Sequence, residues 1–282
     1  MKKILILGAN SFLGYHLKAS LADSFDVVGT YLSTKPSEKG FERCNLLSKA
    51  DLYSLGKFDS VVQYSSVVAG AKKVEKNLEM VRNAIEYCNH NDSKFVFISS
   101  SQVNFEYDSD YKRSKVESEK LVQEMSCQYN MIRPAAPYGA LPAYRFSRKQ
   151  PFHVLAEVIR KFPVVPIIGD GKYIRQPVHV DNLNQLIRGI LESELNGNIF
   201  ELGGPDRFTF DQIVDLIAKQ KERKIIKFHL PVWLFELGAS ATGFLDRDLI
   251  RPVTANEHVD NQTWNNIFDI QLTPFEEGVK CL

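Results

Sequence analysis

Lys3-Ile4-Leu5-Ile6-Leu7-Gly8-Ala9-Asn10-Ser11-Phe12-Leu13-Gly14 is the stretch on which the fold turns. Lys3 to Leu7 is a short Ile/Leu run of the kind that forms a parallel strand buried on both faces. It runs directly into Gly8, and Leu13 to Leu21 then places apolar residues at helical spacing. Strand, glycine turn and helix in that order put the free amide N–H groups of a helix N-terminus just beyond a strand end. A pyrophosphate binds well there. The spacing is Gly8-x-x-Ser11-x-x-Gly14, with Ser11 and not glycine at the middle position, so the backbone meets a phosphate differently. An ordinary tight strand–helix turn is the competing reading.

The same alternation continues outward. Phe25 to Tyr31 reads as a second strand and Asp59 to Tyr64 as a third, ending in Ser65-Ser66. Val74 to Tyr87 reads as an amphipathic helix with Val74, Leu78, Val81 and Ile85 on its apolar stripe. Lys94 to Ile98 is a further strand that delivers Ser99-Ser100-Ser101 at its C-terminal end, and Tyr129 to Arg133 is another, stopped by Pro134. These units predict an α/β fold, a doubly wound parallel (Rossmann) sheet whose ligand crevice lies outside the C-terminal strand ends. After Pro137-Tyr138-Gly139 the pattern becomes irregular, with prolines at 142, 151, 163 and 166. A smaller, interleaved C-terminal substrate lobe is therefore expected over 138–282, beside a dinucleotide-binding domain over 1–137. Asn198 to Leu202, before Gly203-Gly204-Pro205, is expected to return to the main sheet, and Phe210 to Ile217 to be helical.

A second stretch carries chemistry: Asp110-Tyr111-Lys112-Arg113-Ser114-Lys115. On a helix Tyr111 and Lys115 stand one turn apart on one face. A phenol of pKa about 10 carries protons poorly at neutral pH, and a neighbouring ammonium favours its phenolate. A serine hydroxyl reaching the same point can polarise a carbonyl or alkoxide oxygen. The set suits moving a hydride at carbon while a proton moves at oxygen. The bland reading of the serines is a hydroxyl-rich loop that caps the next turn.

About 20 residues after the first glycine, an NAD-preferring fold usually places an acid on the ribose. Here the positions are Thr30, Tyr31, Leu32 and Ser33, with Lys35 near enough to meet a 2′-phosphate. The choice between NAD and NADP therefore tilts to NADP, although loop lysines are often simply solvated.

Bulk composition narrows the partners. The 282 residues are 44% hydrophobic and 24% charged with net charge +1, which supports neither nucleic acid nor a membrane surface as main partner. No apolar run approaches the roughly 20 residues of a membrane span. Cys44, Cys88, Cys127 and Cys281 show no CxxC spacing, so neither a metal site nor a disulfide framework is expected. A cytoplasmic protein is expected.

Taken together, these residues resemble the extended short-chain dehydrogenase/reductase family, the NAD-dependent epimerase/dehydratase group. The pieces that match in order are the Gly8–Gly14 turn, Asn77, Phe95 to Val103, Tyr111-x-x-x-Lys115, Arg133-Pro134-Ala135-Ala136-Pro137-Tyr138-Gly139, and Gly169-Asp170-Gly171 with Arg175 to Leu183. The resemblance implies Tyr111 as general acid/base, Lys115 on the nicotinamide ribose, and Ser100 holding the reacting oxygen, with Ser101 as the alternative. It implies cofactor contacts at Gly8, Asn10, Ser11, Phe12, Leu13, Gly14, Tyr31, Lys35, Asn45, Leu46, Tyr64, Ser65, Tyr111, Lys115 and Pro134. Substrate contacts are implied at Ser66, Ser101, Gln102 and Arg175. Arg175 looks like the family's diphosphate-contacting arginine, or else ties the two lobes together. His179 and Asp181 shape a helix start, with Asp181 as its cap. Members commonly pair as homodimers through two helices, one of which would correspond to Tyr111 to Cys127; that face can equally be packed within one chain.

Three departures stand out: Ser11 for glycine, Asn104 for a tyrosine, and a short Ser100–Tyr111 segment where relatives usually carry a longer one. The dehydratase members place an Asp-Glu pair after the serine or threonine, and Ser101-Gln102 stands here instead. Dehydration is thereby disfavoured, and the short chain, the Val27–Tyr31 strand and the lack of a ribose-binding acid resemble more a reductase of a nucleotide-activated 4-keto-6-deoxy sugar, with a nucleotide-sugar epimerase as the alternative. The stretch from Val165 to Leu183 also resembles atypical, structural relatives of a respiratory complex I accessory subunit.

Overall fold

The computed structural model describes residues 1–67, 72–142, 150–234 and 253–282. Its first half follows the expected alternation: β1 (Lys3–Leu7), α1 (Phe12–Leu21), β2 (Asp26–Tyr31), β3 (Phe41–Arg43), α2 (Lys49–Ser54), β4 (Ser60–Gln63), α3 (Lys73–Asn91), β5 (Lys94–Ile98), α4 (Asp110–Gln123) and β6 (Tyr129–Pro134). There follow β7 (Pro137–Tyr138), α5 (Pro151–Lys161), β8 (Val164–Ile168), β9 (Ile174–Arg175), β10 (Val178–His179), α6 (Val180–Glu192) and β11 (Asn198–Leu202). The described elements close with β12 (Phe208–Thr209), α7 (Phe210–Gln220), β13 (Ile226–Leu230), α8 (Gln262–Asn265) and α9 (Phe275–Gly278).

Seven strands form one parallel sheet in the order β11-β6-β5-β4-β1-β2-β3, the doubly wound α/β architecture. The central strands are apolar throughout because both faces are covered, and successive residues feed opposite cores. Ile4, Ile6, Val62, Val96, Ile98 and Ile132 pack with Leu17 and Leu21 of α1 and with Leu183, Leu186, Ile187 and Ile190 of α6. Leu5, Leu7, Val61, Phe95, Phe97 and Met131 pack with Leu52 of α2, Met80, Val81 and Ala84 of α3, and Val122 of α4. A separate cluster joins Tyr138, α5, β8, α7 and Phe275.

One strand is added and two local expectations are revised. The short strand β3 gives little signal in sequence because its three residues are Phe, Glu and Arg, only one of them buried. On α3 the buried face runs through Asn77, Met80, Val81, Ala84, Ile85, Tyr87 and Cys88, since α3 packs on both the sheet and α4. Val74 and Leu78 of the expected stripe are only half-buried. The cap of α6 is His179, whose Nδ1 accepts from the Asp181 amide at 3.3 Å, and Asp181 lies in the first turn.

Gly8 sits at φ +85°, where a Cβ would lie 2.4 Å from Ser65 Oγ and 3.0 Å from Ser65 N. Strain and clash act together, so Gly8→Ala is expected to lower stability by about 2 kcal/mol or more. Urea unfolding of the two proteins checks this, and an unchanged midpoint would refute it.

Candidate active site

The C-terminal ends of β1, β4, β5 and β6, adjacent in the sheet, bring the Gly8 turn, Ser65-Ser66, the serine triplet and Pro134 to one edge. Beyond β5 the chain makes one 3-10 turn, Ser101–Asn104, with Ser100 as its N-cap. Three carboxylates hold this turn. Ser99 Oγ donates to Glu119 Oε1 at 2.5 Å, Ser101 Oγ to Glu257 Oε1 at 2.6 Å, and Asn104 Nδ2 to Glu201 Oε1 at 2.7 Å. Ser100, 8% exposed, differs: its Oγ accepts from Gln102 N at 3.2 Å. Among the described residues no acceptor takes the Ser100 proton, so this hydroxyl is left to donate.

Behind the turn lies a charged network. Glu119 receives a bidentate fork from Arg133, Nε at 3.0 Å and Nη2 at 2.7 Å, and Arg133 Nη1 reaches Glu201 at 3.3 Å and Asn104 Oδ1 at 3.5 Å. Its bond to Glu119, above all, raises the Arg133 pKa. Asn104 thus serves as a polar link in this network.

Tyr111 and Lys115 occupy the start of α4, capped by Ser109, whose Oγ accepts from Lys112 N at 3.1 Å. Lys115, 5% exposed, donates from Nζ to Ile98 O at 2.8 Å, the last carbonyl of β5. Its Nζ lies 4.8 Å from the Phe97 ring centre and 6.0 Å from that of Tyr111. Burial lowers the Lys115 pKa to about 8, against the opposing pull of Glu119. Amine and phenol are therefore on one face, as their spacing predicts. Asn77 of α3 steadies the neighbouring segment: its Oδ1 accepts from Val67 N at 2.7 Å and its Nδ2 donates to Val67 O at 2.9 Å.

The glycine turn fits a dinucleotide. Gly14 admits no side chain, since a Cβ there would be 2.6 Å from Gly8 O and 2.8 Å from Ala9 Cα. Thr30 Oγ1 braces the turn by accepting from Gly8 N at 2.9 Å. Just beyond β4, the buried hydroxyls of Tyr64 and Ser66 have no hydrogen-bond partner among the described residues, nor has Oε1 of Gln102, and such orphaned groups suit a polar ligand. Burial pushes the Tyr64 phenol up, keeping it neutral. Ser11 is the N-cap of α1: its Oγ accepts from Gly14 N at 3.2 Å and donates to Gly8 O at 2.8 Å. One amide that would otherwise face a phosphate is therefore already taken.

The remaining expected residues are more scattered. Lys35 is exposed beyond β2, while Tyr31 pairs in register with Arg43 of β3. Asn45 Oδ1 accepts from Leu47 N at 3.1 Å, and Leu46 is buried. Arg175 is half-buried between the rings of Tyr173 and Phe105, at 5.0 and 5.8 Å. Its guanidinium donates to the carbonyls of Val253 and Ala255, and to Ile174 O at 3.1 Å. Burial lowers its pKa while Glu257 opposes. This is the geometry of a tie between segments, with three carbonyls already on the guanidinium. Glu119, Glu201 and Glu257 were not singled out in the sequence; only Glu119 left a local trace, one helical turn beyond Lys115.

Fold and site together define a nucleotide-cofactor protein of the Rossmann type with a Ser/Tyr/Lys constellation at its sheet edge. The NAD dependent epimerase/dehydratase family profile matches residues 4–203, and the chain belongs to that family. Among solved structures, UDP-glucose 4-epimerase with UDP-glucose from Thermotoga maritima is 18% identical, with TM-score 0.80 over 99% of this chain and 96% of that one. UDP-glucuronic acid 4-epimerase from Bacillus cereus, in complex with UDP-glucuronic acid and NAD, is 20% identical with TM-score 0.80, covering 99% and 97%. These likenesses show the shared fold. Among curated proteins, NADH dehydrogenase [ubiquinone] 1 alpha subcomplex subunit 9, mitochondrial, of Dictyostelium discoideum is 24% identical over 80% of this chain and 66% of its own length. The Mus musculus protein of that name is 25% identical over 50% and 36%. The chain spans less than two thirds of each. No helix among the described residues is long and apolar enough to cross a membrane.

Proposed function

We propose that this protein is an NAD(P)-dependent oxidoreductase that reduces the keto group of a nucleotide-activated sugar. The observation that carries the reading is Ser100, whose uncommitted hydroxyl proton stands at the same sheet edge as the Tyr111–Lys115 pair. When bound, the nicotinamide supplies the hydride. The chain's own groups do the rest: Ser100 donates to the substrate oxygen, and Tyr111 passes a proton to that oxygen as charge develops. Lys115, pinned to Ile98 O, places positive charge beside the phenol and makes the phenolate it leaves less unfavourable.

Gly8, Asn10, Phe12, Leu13 and Gly14 would hold the pyrophosphate, with Tyr64, Ser65 and Pro134 along the crevice. The absence of a carboxylate from Thr30 to Lys35, with Arg43 opposite Tyr31, favours NADP. Ser11→Gly releases the Gly14 amide and is expected to tighten NADP binding about 3- to 10-fold, at a stability loss of a few tenths of a kcal/mol. Fluorescence titration and thermal melting check both, and weaker binding would show that Ser11 itself contacts the cofactor.

The test of function is NADPH consumption with a nucleotide-linked 4-keto sugar. Turnover of a nucleotide sugar with no net change in cofactor would instead favour an epimerase, the activity named for the structural neighbours. The complex I subunit relatives favour a third reading, a nucleotide-binding structural protein, under which neither assay shows turnover.

A further inference from the structure

Glu257 reaches the serine turn from the far end of the chain. It is 3% exposed and both carboxylate oxygens are held: Oε1 by Ser101 Oγ at 2.6 Å and Oε2 by Gln176 N at 3.1 Å. Its own amide donates to Ile174 O at 3.0 Å, which seats the segment on β9. A second strap runs beside it. Arg175 binds the carbonyls of Val253 and Ala255 and lies against the ring of Phe105, the residue that ends the serine turn. Segment 253–257 therefore grips the turn at both of its ends.

The position of the grip matters more than its strength. Ser100 and Ser101 are neighbouring hydroxyls, and either can donate to a ligand at the strand end. A charge-assisted bond in a dry setting is short and directional. It commits the Ser101 proton to Glu257, and with it the rotation of the whole turn. What is left is one donor, Ser100, at a fixed place. Gln176 and Ile174 hold Glu257 in turn, so it is oriented to accept a proton bond and not to travel.

We propose that Glu257 is a positioning residue of this site: by taking the Ser101 proton it reserves Ser100 as the donor hydroxyl and makes segment 253–257 a working part of the active site. The inference rests on the hydride-transfer reading above. It also carries a structural signature that can be read without turnover.

The test compares Glu257→Gln, Ser101→Ala, their double variant and Ser101→Thr. Glu257→Gln keeps the shape and Gln176's acceptor while removing the acceptor for the Ser101 proton. Ser101→Ala removes the same contact and leaves Glu257 on Gln176. Each is expected to lower kcat about 10- to 100-fold with cofactor KM unchanged, the size of effect that misplacing a reacting group brings. Because the two share one interaction, the double variant should be no worse than the poorer single. Ser101→Thr keeps the hydroxyl and should recover most of the loss relative to Ser101→Ala.

Independently, hydrogen exchange followed by NMR reads the turn. The Val103 and Phe105 amides, bonded to Ser100 O and Gln102 O at 3.2 and 3.1 Å, should exchange faster in Glu257→Gln and Ser101→Ala but not in Ser101→Thr. Additive losses, a threonine variant as poor as the alanine one, or unchanged exchange at 103 and 105 would each overturn the proposal. If the wild-type protein turns over no nucleotide sugar, the functional reading fails, and the exchange data still decide whether Glu257 holds the turn.

Discussion

Tyr111→Phe is expected to lower kcat about a hundred- to ten-thousandfold, the range that a positioned proton donor contributes, with cofactor affinity kept within about twofold. The ring is retained, so the packing at the start of α4 and the 6.0 Å approach of Lys115 Nζ survive the substitution. Only the hydroxyl is lost. Steady-state rates and a cofactor titration on the same preparation separate the two effects. If the rate is unchanged while a nucleotide sugar is turned over, proton transfer does not pass through this phenol. Wild-type protein that binds cofactor and turns over nothing would favour the structural reading.

The second large effect concerns Lys115, and it links activity to stability with opposite signs. Burial lowers its pKa to about 8 from the ordinary lysine value of 10.5. Below about pH 8 both folded and unfolded chains carry the proton, and the folded state bears the full desolvation of a buried ammonium. Between about 8 and 10.5 the unfolded chain binds the proton more tightly, so stability rises as pH rises through that window. The shift corresponds to about 3 kcal/mol. Lys115→Met removes the charge but leaves Ile98 O without its donor, a loss of about 1 kcal/mol. The variant should therefore be more stable than the natural protein by about 2 kcal/mol at pH 7, an advantage that fades towards pH 10.5. Its turnover should fall at least about a hundredfold. Urea unfolding at pH 7 and pH 10 with parallel rate measurements tests both. A variant destabilised at pH 7 would mean that Glu119 and Ile98 O together outweigh the burial of the amine.

The local pieces of the site were legible in the chain because each is written in short-range spacing. The apolar run into Gly8, the helix from α1, the serines at the end of β5 and the four-residue step from Tyr111 to Lys115 follow from strand and helix periods alone. Glu119 was equally readable one turn further on. Asn104 and Ser11, which in sequence are only departures from a family pattern, acquired reasons in the fold: one links Glu201 to Arg133, the other caps α1. The late strand β11 brings Glu201 beside Asn104 and Arg133 by lying next to β6.

Sequence by itself determined the parallel α/β sheet, the glycine turn at its edge and the pairing of amine with phenol, since these depend on residues a few positions apart. Only the tertiary structure decided which serine keeps a free proton. That depends on a carboxylate 156 residues away, and no local period records which distant segment crosses a strand end. The same holds for Lys115: its lowered pKa comes from desolvation by packed neighbours, which exist only once the chain has folded.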